Sequence, residues 1–226
     1  LKAENAYADK ITERLAKLRE TLYQEMLGRI QEDDTQVPFK FGAAYYYKRT
    51  EKDKQYPIHC RKVGSLDSPE EVILDENQLA EGKEFFELGD LAVSLDGQKL
   101  AYTSDTLGYR QYVLSVKDLQ TGKTLEKIAE RITSLAWAAD HQTLFYVTED
   151  PVTKRSNQLF RHVVGSGTHT LLLTESDELY VLEVSRTRSN AYICVNSQSK
   201  TTTETRFLRA DKPQDDFTLL LQRQEG

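Results

Sequence analysis

Two short motifs carry residue types that could bind phosphate or supply a nucleophile. TGKT at 121–124 has the last residues of a phosphate-binding loop, and GSG at 165–167 holds a serine between two glycines. A phosphate-binding loop also needs a glycine five residues before the glycine of its GKT, where this chain has Lys117. GSG lies between two β-rich runs, so turn formation explains its glycines. Neither motif predicts an active site.

The cysteines and histidines lack the spacing that a metal site or a thiol catalyst requires. Cys60 and Cys194 are far apart, and the four histidines form no ligand motif with them or with carboxylates. His59 and Cys60 are adjacent, but neighbouring strand residues point to opposite faces, so a catalytic dyad is not expected. A Gly-x-Ser-x-Gly nucleophile elbow is missing from the sequence. We predict no catalytic residue, no metal site and no cofactor.

Composition argues against two classes of partner. The 226 residues carry 30 Lys and Arg against 36 Asp and Glu, a net charge of -6 that does not suit a nucleic-acid-binding surface. No stretch reaches the roughly 18 to 20 apolar residues of a membrane span, and the N-terminus lacks the apolar region of a signal peptide. We expect no nucleic-acid or membrane partner and a cytoplasmic location. Because the chain starts at Leu1 and stops just after FTLLL, we also expect a part of a larger protein.

The first thirty residues predict an amphipathic helix. Apolar side chains recur at steps of three and four residues, which is the spacing of one helical face. Gly28 and the stretch QEDDTQVP supply signals that end a helix. We assign 1–36 to an N-terminal helical segment whose apolar face needs a covering surface. The residues of this face are Ile11, Leu15, Leu18, Leu22 and Met26.

From about residue 39 onward, short β-rich runs alternate with turn residues and repeat along the chain. GAAYYY at 42–47 aligns with GQKLAY at 97–102, and DGQKLAY at 96–102 aligns with DHQTLFY at 140–146. Four strands in a period of about 40 to 50 residues are typical of a β-propeller blade. We predict an all-β fold, a partial β-propeller preceded by the helix. The predicted blades are 37–80, 85–130, 131–175 and 178–223.

The consecutive tyrosines of this first blade have a packing explanation. Successive strand residues point to opposite faces, so Tyr45 and Tyr47 share one face and Tyr46 takes the other. Both faces of a blade pack on neighbours, and tyrosine suits a position with an apolar body and a polar tip. A platform for stacking bases would need interleaved basic residues and a positively charged sheet.

Two acidic stretches lie in predicted loops, QEDD at 31–34 and ESDE at 175–178. Solvated turns explain both of them. The alternative is that acidic loops near a central tunnel attract peptides that contain Arg or Lys.

Longer stretches resemble the N-terminal part of the oligopeptidase B family, within the prolyl oligopeptidase group of serine peptidases. The resemblance is collinear and covers essentially the whole chain. It rests on GRIQEDDTQVP, YYYKRTEKDKQYPIHCRK, LDENQLAEGKEFFELG, VSLDGQKLAYTSDTLGYRQYVLSVKDLQTG and VLEVSRTRSNAYICVNSQSKTTTETRFLRADKP.

The resemblance implies a seven-bladed propeller that caps an α/β-hydrolase domain with a Ser-Asp-His triad. Such enzymes cleave short peptides after Arg or Lys, and the propeller excludes large folded substrates. About four blades are present here, and the hydrolase domain is absent from these 226 residues. We therefore predict a gating and substrate-filtering fragment without chemistry of its own. The alternative is a stand-alone β-propeller that serves as a protein-interaction module.

The resemblance also implies partners and contact residues. The hydrolase domain of the same protein is the expected partner, short basic peptides are the substrates of the intact enzyme, and the apolar helix face points to the missing domain. Glu84 and Arg110 lie on polar connections where a propeller presents loops, and the matching family positions lie on the domain-facing side. The alternative is that both are solvated, or pair within the blade. We also expect self-association through the open edges of the propeller.

We predict that the 226-residue chain hydrolyses no peptide, because covalent acyl transfer needs a catalytic triad that these residues cannot assemble. The test is an assay with chromogenic peptides that end in Arg or Lys, with and without an active-site phosphonate. Turnover that the phosphonate abolishes would contradict the prediction.

Overall fold

The N-terminal segment is helical, but it ends before residue 36. The computed structural model describes residues 1–224. Helices α1 (Lys2–Thr12) and α2 (Ala16–Leu27) are joined by a 3₁₀ turn (Glu13–Leu15), where the sequence predicted one helix. Asp34 and Thr35, placed by the sequence in the helical segment, already belong to the first sheet. Among residues 1–224, no helix has both the length and the apolar character to cross a membrane.

The following residues form four antiparallel sheets, each a meander of strands. Sheet 1 contains β1 (Asp34–Thr35), β2 (Phe39–Phe41), β3 (Ala44–Thr50), β4 (Ile58–Val63) and β5 (Glu70–Asp75). Sheet 2 contains β6 (Glu87–Val93), β7 (Lys99–Asp105), β8 (Val113–Asp118) and β9 (Thr124–Ala129). Sheet 3 contains β10 (Ile132–Trp137), β11 (Thr143–Glu149), β12 (Ser156–Val163) and β13 (His169–Thr174). Sheet 4 contains β14 (Val181–Arg186), β15 (Tyr192–Gln198), β16 (Thr203–Arg209) and β17 (Thr218–Leu221).

The predicted fold class, a partial propeller behind an N-terminal helix, is confirmed by this arrangement. Sheet 1 differs from the others because β1 and β2 both pair with β3 and share the place of the inner strand. Pro38, which separates them, has no backbone N–H to donate to a neighbouring strand. The connection from sheet 1 to sheet 2 contains a short helix that the β pattern did not predict, α3 (Glu76–Ala80). It begins at Asp75, whose carboxylate accepts a hydrogen bond from the Asn77 amide at 2.9 Å.

Neighbouring sheets bury apolar side chains between them. Between sheets 3 and 4, the fully buried Phe145 lies in one cluster with Val184 and Ile193. Between sheets 2 and 3, the Trp137 ring is 2% exposed, and its Nε1 donates to the Ala92 carbonyl at 3.0 Å. Contact between neighbouring sheets therefore buries two large apolar clusters of the fold.

The tyrosines of β3 alternate as the sequence predicted. Tyr46 packs with Ile73 against sheet 2, while Tyr47 packs with Ile58 and Cys60 on the other face of sheet 1. Both rings are buried. Packing, rather than an exposed stacking platform, accounts for Tyr46 and Tyr47.

The loops of the propeller lie on two faces. Because consecutive strands are antiparallel, the connections between second and third strands and the connections between sheets emerge on the same side. We call this side the N-terminal face, because the N-terminal segment joins it. There, Thr50 Oγ1 donates to the Glu32 carbonyl at 2.6 Å, and the Lys52 amide donates to Asp33 Oδ1 at 2.7 Å. The remaining strand connections form the opposite face.

Two sheet faces pack against no other sheet within residues 1–224. One is the face of sheet 1 that carries Tyr47, where Val72 is 49% exposed. The other is the face of sheet 4 that points away from sheet 3, where Tyr192 and Leu221 are 40% and 53% exposed. We call these the two outer faces. Four sheets in a row thus leave the same kind of surface uncovered at both ends.

We predict that Phe145→Ala lowers the free energy of unfolding by about 3–5 kcal/mol, because it opens a cavity between sheets 3 and 4. Val152→Ala, at a position that is 85% exposed, is the control and should change stability by less than about 0.5 kcal/mol. Urea unfolding followed by circular dichroism measures both. Equal effects of the two variants would show that sheet packing does not hold the fold together.

Candidate functional site

The apolar face of the N-terminal helices is uncovered in the described chain. Its five side chains are between 41% and 65% exposed. They are Ile11, Leu15, Leu18, Leu22 and Met26. No residue of α1 or α2 is buried, so the expectation that another surface covers this face stays a prediction.

Arg110 lies on the N-terminal face, in the connection between β7 and β8. The buried carboxylate of Asp105 shapes this connection by accepting the backbone amides of Leu107 at 2.8 Å and Arg110 at 2.6 Å. Arg110 has a φ of 58°, which is unusual for a residue with a side chain. The loop is thereby fixed while the guanidinium is exposed.

Glu84 lies on the same face, in the connection that leads into β6. The next residue, Phe85, packs beside Gly108, where an added Cβ would be 3.6 Å from its ring. Phe86 is buried and meets the Tyr56 ring edge-on at 5.5 Å. The loop of Glu84 therefore lies against the loop of Arg110, and both are anchored by aromatic packing.

The two charged candidates share a face, but they do not form a pair. Within residues 1–224, neither Glu84 nor Arg110 takes part in an ion pair. Both side chains are exposed. Of the alternatives from the sequence, pairing within the blade is not observed, whereas a solvated charge and an interdomain contact both fit the geometry.

The motifs that the sequence set aside have structural roles. TGKT forms the turn between β8 and β9, where Asp118 Oδ1 accepts the Thr121 amide at 2.7 Å. GSG forms the turn between β12 and β13. Nε2 of His59 lies 2.7 Å from Glu76 Oε1, and Cys60 is fully buried. Burial, and secondarily the Glu70 carboxylate, raises the pKa of the Cys60 thiol to about 11, which keeps it protonated.

Two histidines contribute to the contact between sheets 2 and 3. The His162 ring is fully buried and stacks on His169 with 4.6 Å between centroids. Nε2 of His162 is 3.1 Å from Glu126 Oε2, and that oxygen also accepts the Gly165 amide at 2.9 Å. Burial works against the charge of Glu126, but these contacts hold its pKa below the usual range. No group of three or more potential metal ligands occurs among residues 1–224.

The interpretation of ESDE as a solvated turn is wrong for its first residue. Glu175 is 7% exposed, and its carboxylate accepts hydrogen bonds from Ser197 Oγ and from Arg223 Nη2, the latter at 2.7 Å. The Arg223 guanidinium also lies over the Tyr180 ring, 3.9 Å from its centroid. Burial disfavours the charge of Glu175, but the two donors hold its pKa below the usual range. The glutamate joins sheet 4 to the connection that precedes it, and it is not free to attract a peptide.

The inner strands of the four sheets line a groove that the sequence did not reveal. It has a volume of about 800 Å³ and is lined by apolar and aromatic residues that include Phe41, Leu91 and Trp137. Arg186 at the end of β14 lines both this groove and a smaller recess of about 310 Å³ between β6, β10 and β14. Asp90 also lines both spaces. A single sequence carries no signal for this groove, because its lining comes from strands far apart along the chain.

Comparison with known proteins places these features in a family. Residues 1–226 match the model of the family described as prolyl oligopeptidase, N-terminal beta-propeller domain. The chain is 35% identical to dipeptidyl aminopeptidase BI of Pseudoxanthomonas mexicana, over 99% of this chain and 33% of that protein. It is 33% identical to Protease 2 of Moraxella lacunata, over 100% of this chain and 34% of that protein. The structure of oligopeptidase B from Leishmania major superimposes with a TM-score of 0.88 at 30% identity, covering 98% of this chain and 32% of that one.

Proposed function

The chain belongs to the prolyl oligopeptidase N-terminal β-propeller family, and from this membership we propose that it is the gate and substrate filter of an oligopeptidase B-like serine peptidase. The observation that carries the proposal is the match of the whole chain, in sequence to the family and in structure to oligopeptidase B. The chain spans about a third of the length of the curated relatives that it matches.

The proposed activity belongs to the intact protein. An α/β-hydrolase domain supplies the triad, and the enzyme cleaves short peptides after Arg or Lys. The propeller works by exclusion, since a folded protein is too large for the groove between its inner strands, whereas an extended peptide can enter it. Two features of the chain support this division of labour: its sequence has no nucleophile elbow, and its two outer faces are uncovered. Both cysteines are free, which fits the proposed cytoplasmic location.

The test of this proposal begins with the coding sequence beyond Gly226. Further blade repeats followed by a Gly-x-Ser-x-Gly motif are expected, and the intact protein should cleave chromogenic peptides after Arg or Lys but not folded proteins. A stop codon directly after Gly226 would favour the stand-alone interaction module instead. An intact protein that is inactive towards basic peptides would refute the proposed specificity.

We further propose that the N-terminal face meets the hydrolase domain. The uncovered helix face begins the segment that joins this side of the propeller, and Glu84 and Arg110 lie on the same side. A charge pair at such an exposed position contributes about 1 kcal/mol or less to stability. An equally small free energy still shifts an equilibrium between open and closed domains severalfold. Glu84 and Arg110 would therefore affect gating more than folding.

We predict that Glu84→Ala and Arg110→Asn in the intact protein change the apparent substrate affinity severalfold and leave the melting temperature nearly unchanged. Asn is chosen at position 110 because it tolerates the left-handed backbone there, so that the loop keeps its conformation when the charge is removed. Peptide kinetics and small-angle scattering are the measurements. Lys123→Ala, an exposed charge on the opposite face, is the control. Unchanged kinetics and particle radius in both variants would assign the two residues to solvated loops.

We also predict that the 226-residue chain self-associates through its two outer faces, because apolar surface meant for neighbouring sheets is exposed there. Leu221→Glu, on the outer face of sheet 4, should shift the association to higher concentration. Val152→Glu, in an exposed loop, is the matched control. Sedimentation velocity at several concentrations measures both. A strictly monomeric chain over the whole range would contradict the prediction.

A further inference from the structure

The central groove is basic although the chain as a whole is acidic. Its charged lining residues are Lys40, Lys48, Arg186 and Arg188 against the single carboxylate of Asp90, while the net charge of the chain is -6. None of the four cations takes part in an ion pair among the residues that the structure describes, 1–224. Local charge of this sign concentrates anions in a cleft.

Arg186 is the cation that is best placed to bind such an anion. It ends β14, the inner strand of sheet 4, and is half-buried. Its Nε and Nη2 donate to one backbone oxygen, that of Asn190, at 3.3 and 3.0 Å. Within residues 1–224, its Nη1 has no hydrogen-bond partner. Burial lowers the pKa of Arg186, because loss of water disfavours its charge.

A half-buried guanidinium without a counter-charge is unfavourable unless something else supplies the charge. The donors that remain suit a carboxylate, since a guanidinium presents a planar fork of N–H groups to two oxygens. Arg188, two residues further on, also lines the groove. Apolar residues, including Trp137, line the same groove, and a charge pair is stronger beside apolar walls than in open water.

Carboxylates of the protein lie close by, in the smaller recess that Arg186 shares. Asp90 of β6 and Glu183 of β14 both line this recess. Burial, and secondarily the Glu183 carboxylate, raises the pKa of Asp90. Glu183 is three residues before Arg186 in β14, so their side chains point to opposite faces of sheet 4. Asp90 is therefore the carboxylate that lines the same groove as Arg186.

We propose that this groove binds the last residue of a short peptide, with the C-terminal carboxylate on Arg186 and a basic side chain towards Asp90. The proposal rests on the proposed function, because a peptidase that cleaves after Arg or Lys releases products that end in such a residue. The groove is then a product-binding site in the propeller, at the end of β14 that leads to the opposite face.

The chain carries its own reporter for this site. Trp137 is the single tryptophan of the sequence, and it lines the groove. The probes are acetyl-Ala-Arg with a free carboxylate and the same dipeptide as its C-terminal amide, titrated into the 226-residue chain while tryptophan fluorescence is followed. We expect the free acid to bind at least about tenfold more tightly than the amide, which corresponds to one charge-assisted contact.

Two substitutions assign the contact to Arg186. Arg186→Gln should abolish the preference for the free acid. Arg186→Lys should keep part of it, because the lysine ammonium keeps the charge but lacks the planar set of donors of a guanidinium. Arg209→Gln is the matched control: Arg209 belongs to the same sheet but is paired with Asp211 at 2.7 Å on the surface. Circular dichroism confirms that each variant is folded. Equal binding of acid and amide to the unsubstituted chain, or an unchanged preference in both folded Arg186 variants, overturns the proposal.

A second titration separates this proposal from the proposed function. It is done by calorimetry on the intact protein, with the active-site serine blocked by a phosphonate. An intact enzyme that cleaves after Arg or Lys, but whose propeller binds acid and amide equally, refutes the groove site alone. An intact protein without peptidase activity whose groove still prefers the free acid refutes the proposed function, and leaves a carboxylate site.

Discussion

The contact of each sheet with the next is the interaction on which the rest of this structure depends. A sheet has two faces, and a four-stranded sheet is not stable in water unless it can cover at least one of them. Phe145, Val184 and Trp137 show how adjacent sheets solve this, since each is buried against residues of the neighbouring sheet. The same constraint leaves the outer faces of sheets 1 and 4 exposed, with Val72 and Leu221 at the surface. Burial between sheets therefore explains both the stability of the middle and the incompleteness of the ends.

This packing also separates the functional surfaces. Connections between strands must emerge at the ends of the sheets, so the N-terminal face collects the helical segment, Glu84 and Arg110. The inner strands meet around the axis, and the groove between them collects side chains such as Arg186 from distant parts of the chain. The proposed gating surface and the proposed peptide-binding groove therefore use different residues, which can be substituted separately.

The repeats are visible in the sequence because equivalent turns need the same residue types. In DGQKLAY, Asp96 accepts the amide of Gln98 at 3.1 Å; in DHQTLFY, Asp140 accepts the amide of Gln142 at 3.0 Å. The residue between Asp and Gln has a positive φ in both turns, 72° at Gly97 and 60° at His141. The same local requirement recurs in sheets 2 and 3, and it favours Asp and Gln at equivalent positions of the two turns. The blades could be predicted for this reason, although the repeats are only weakly similar elsewhere.

The sequence by itself determined the features that depend on neighbours along the chain: the amphipathic N-terminal segment, the alternation of Tyr46 and Tyr47, the repeating strands and the lack of a nucleophile elbow. Periodicity, turn residues and motifs are local, so these features could be read directly. Only the tertiary structure decided which charges are solvated and which are buried. Glu175 is read from the sequence as part of a solvated turn, but it is buried because Ser197 and Arg223 come to it from sheet 4 and the residues after it. Arg186 carries no sequence signal, because its environment is made by strands that pack together only when the sheets assemble around an axis.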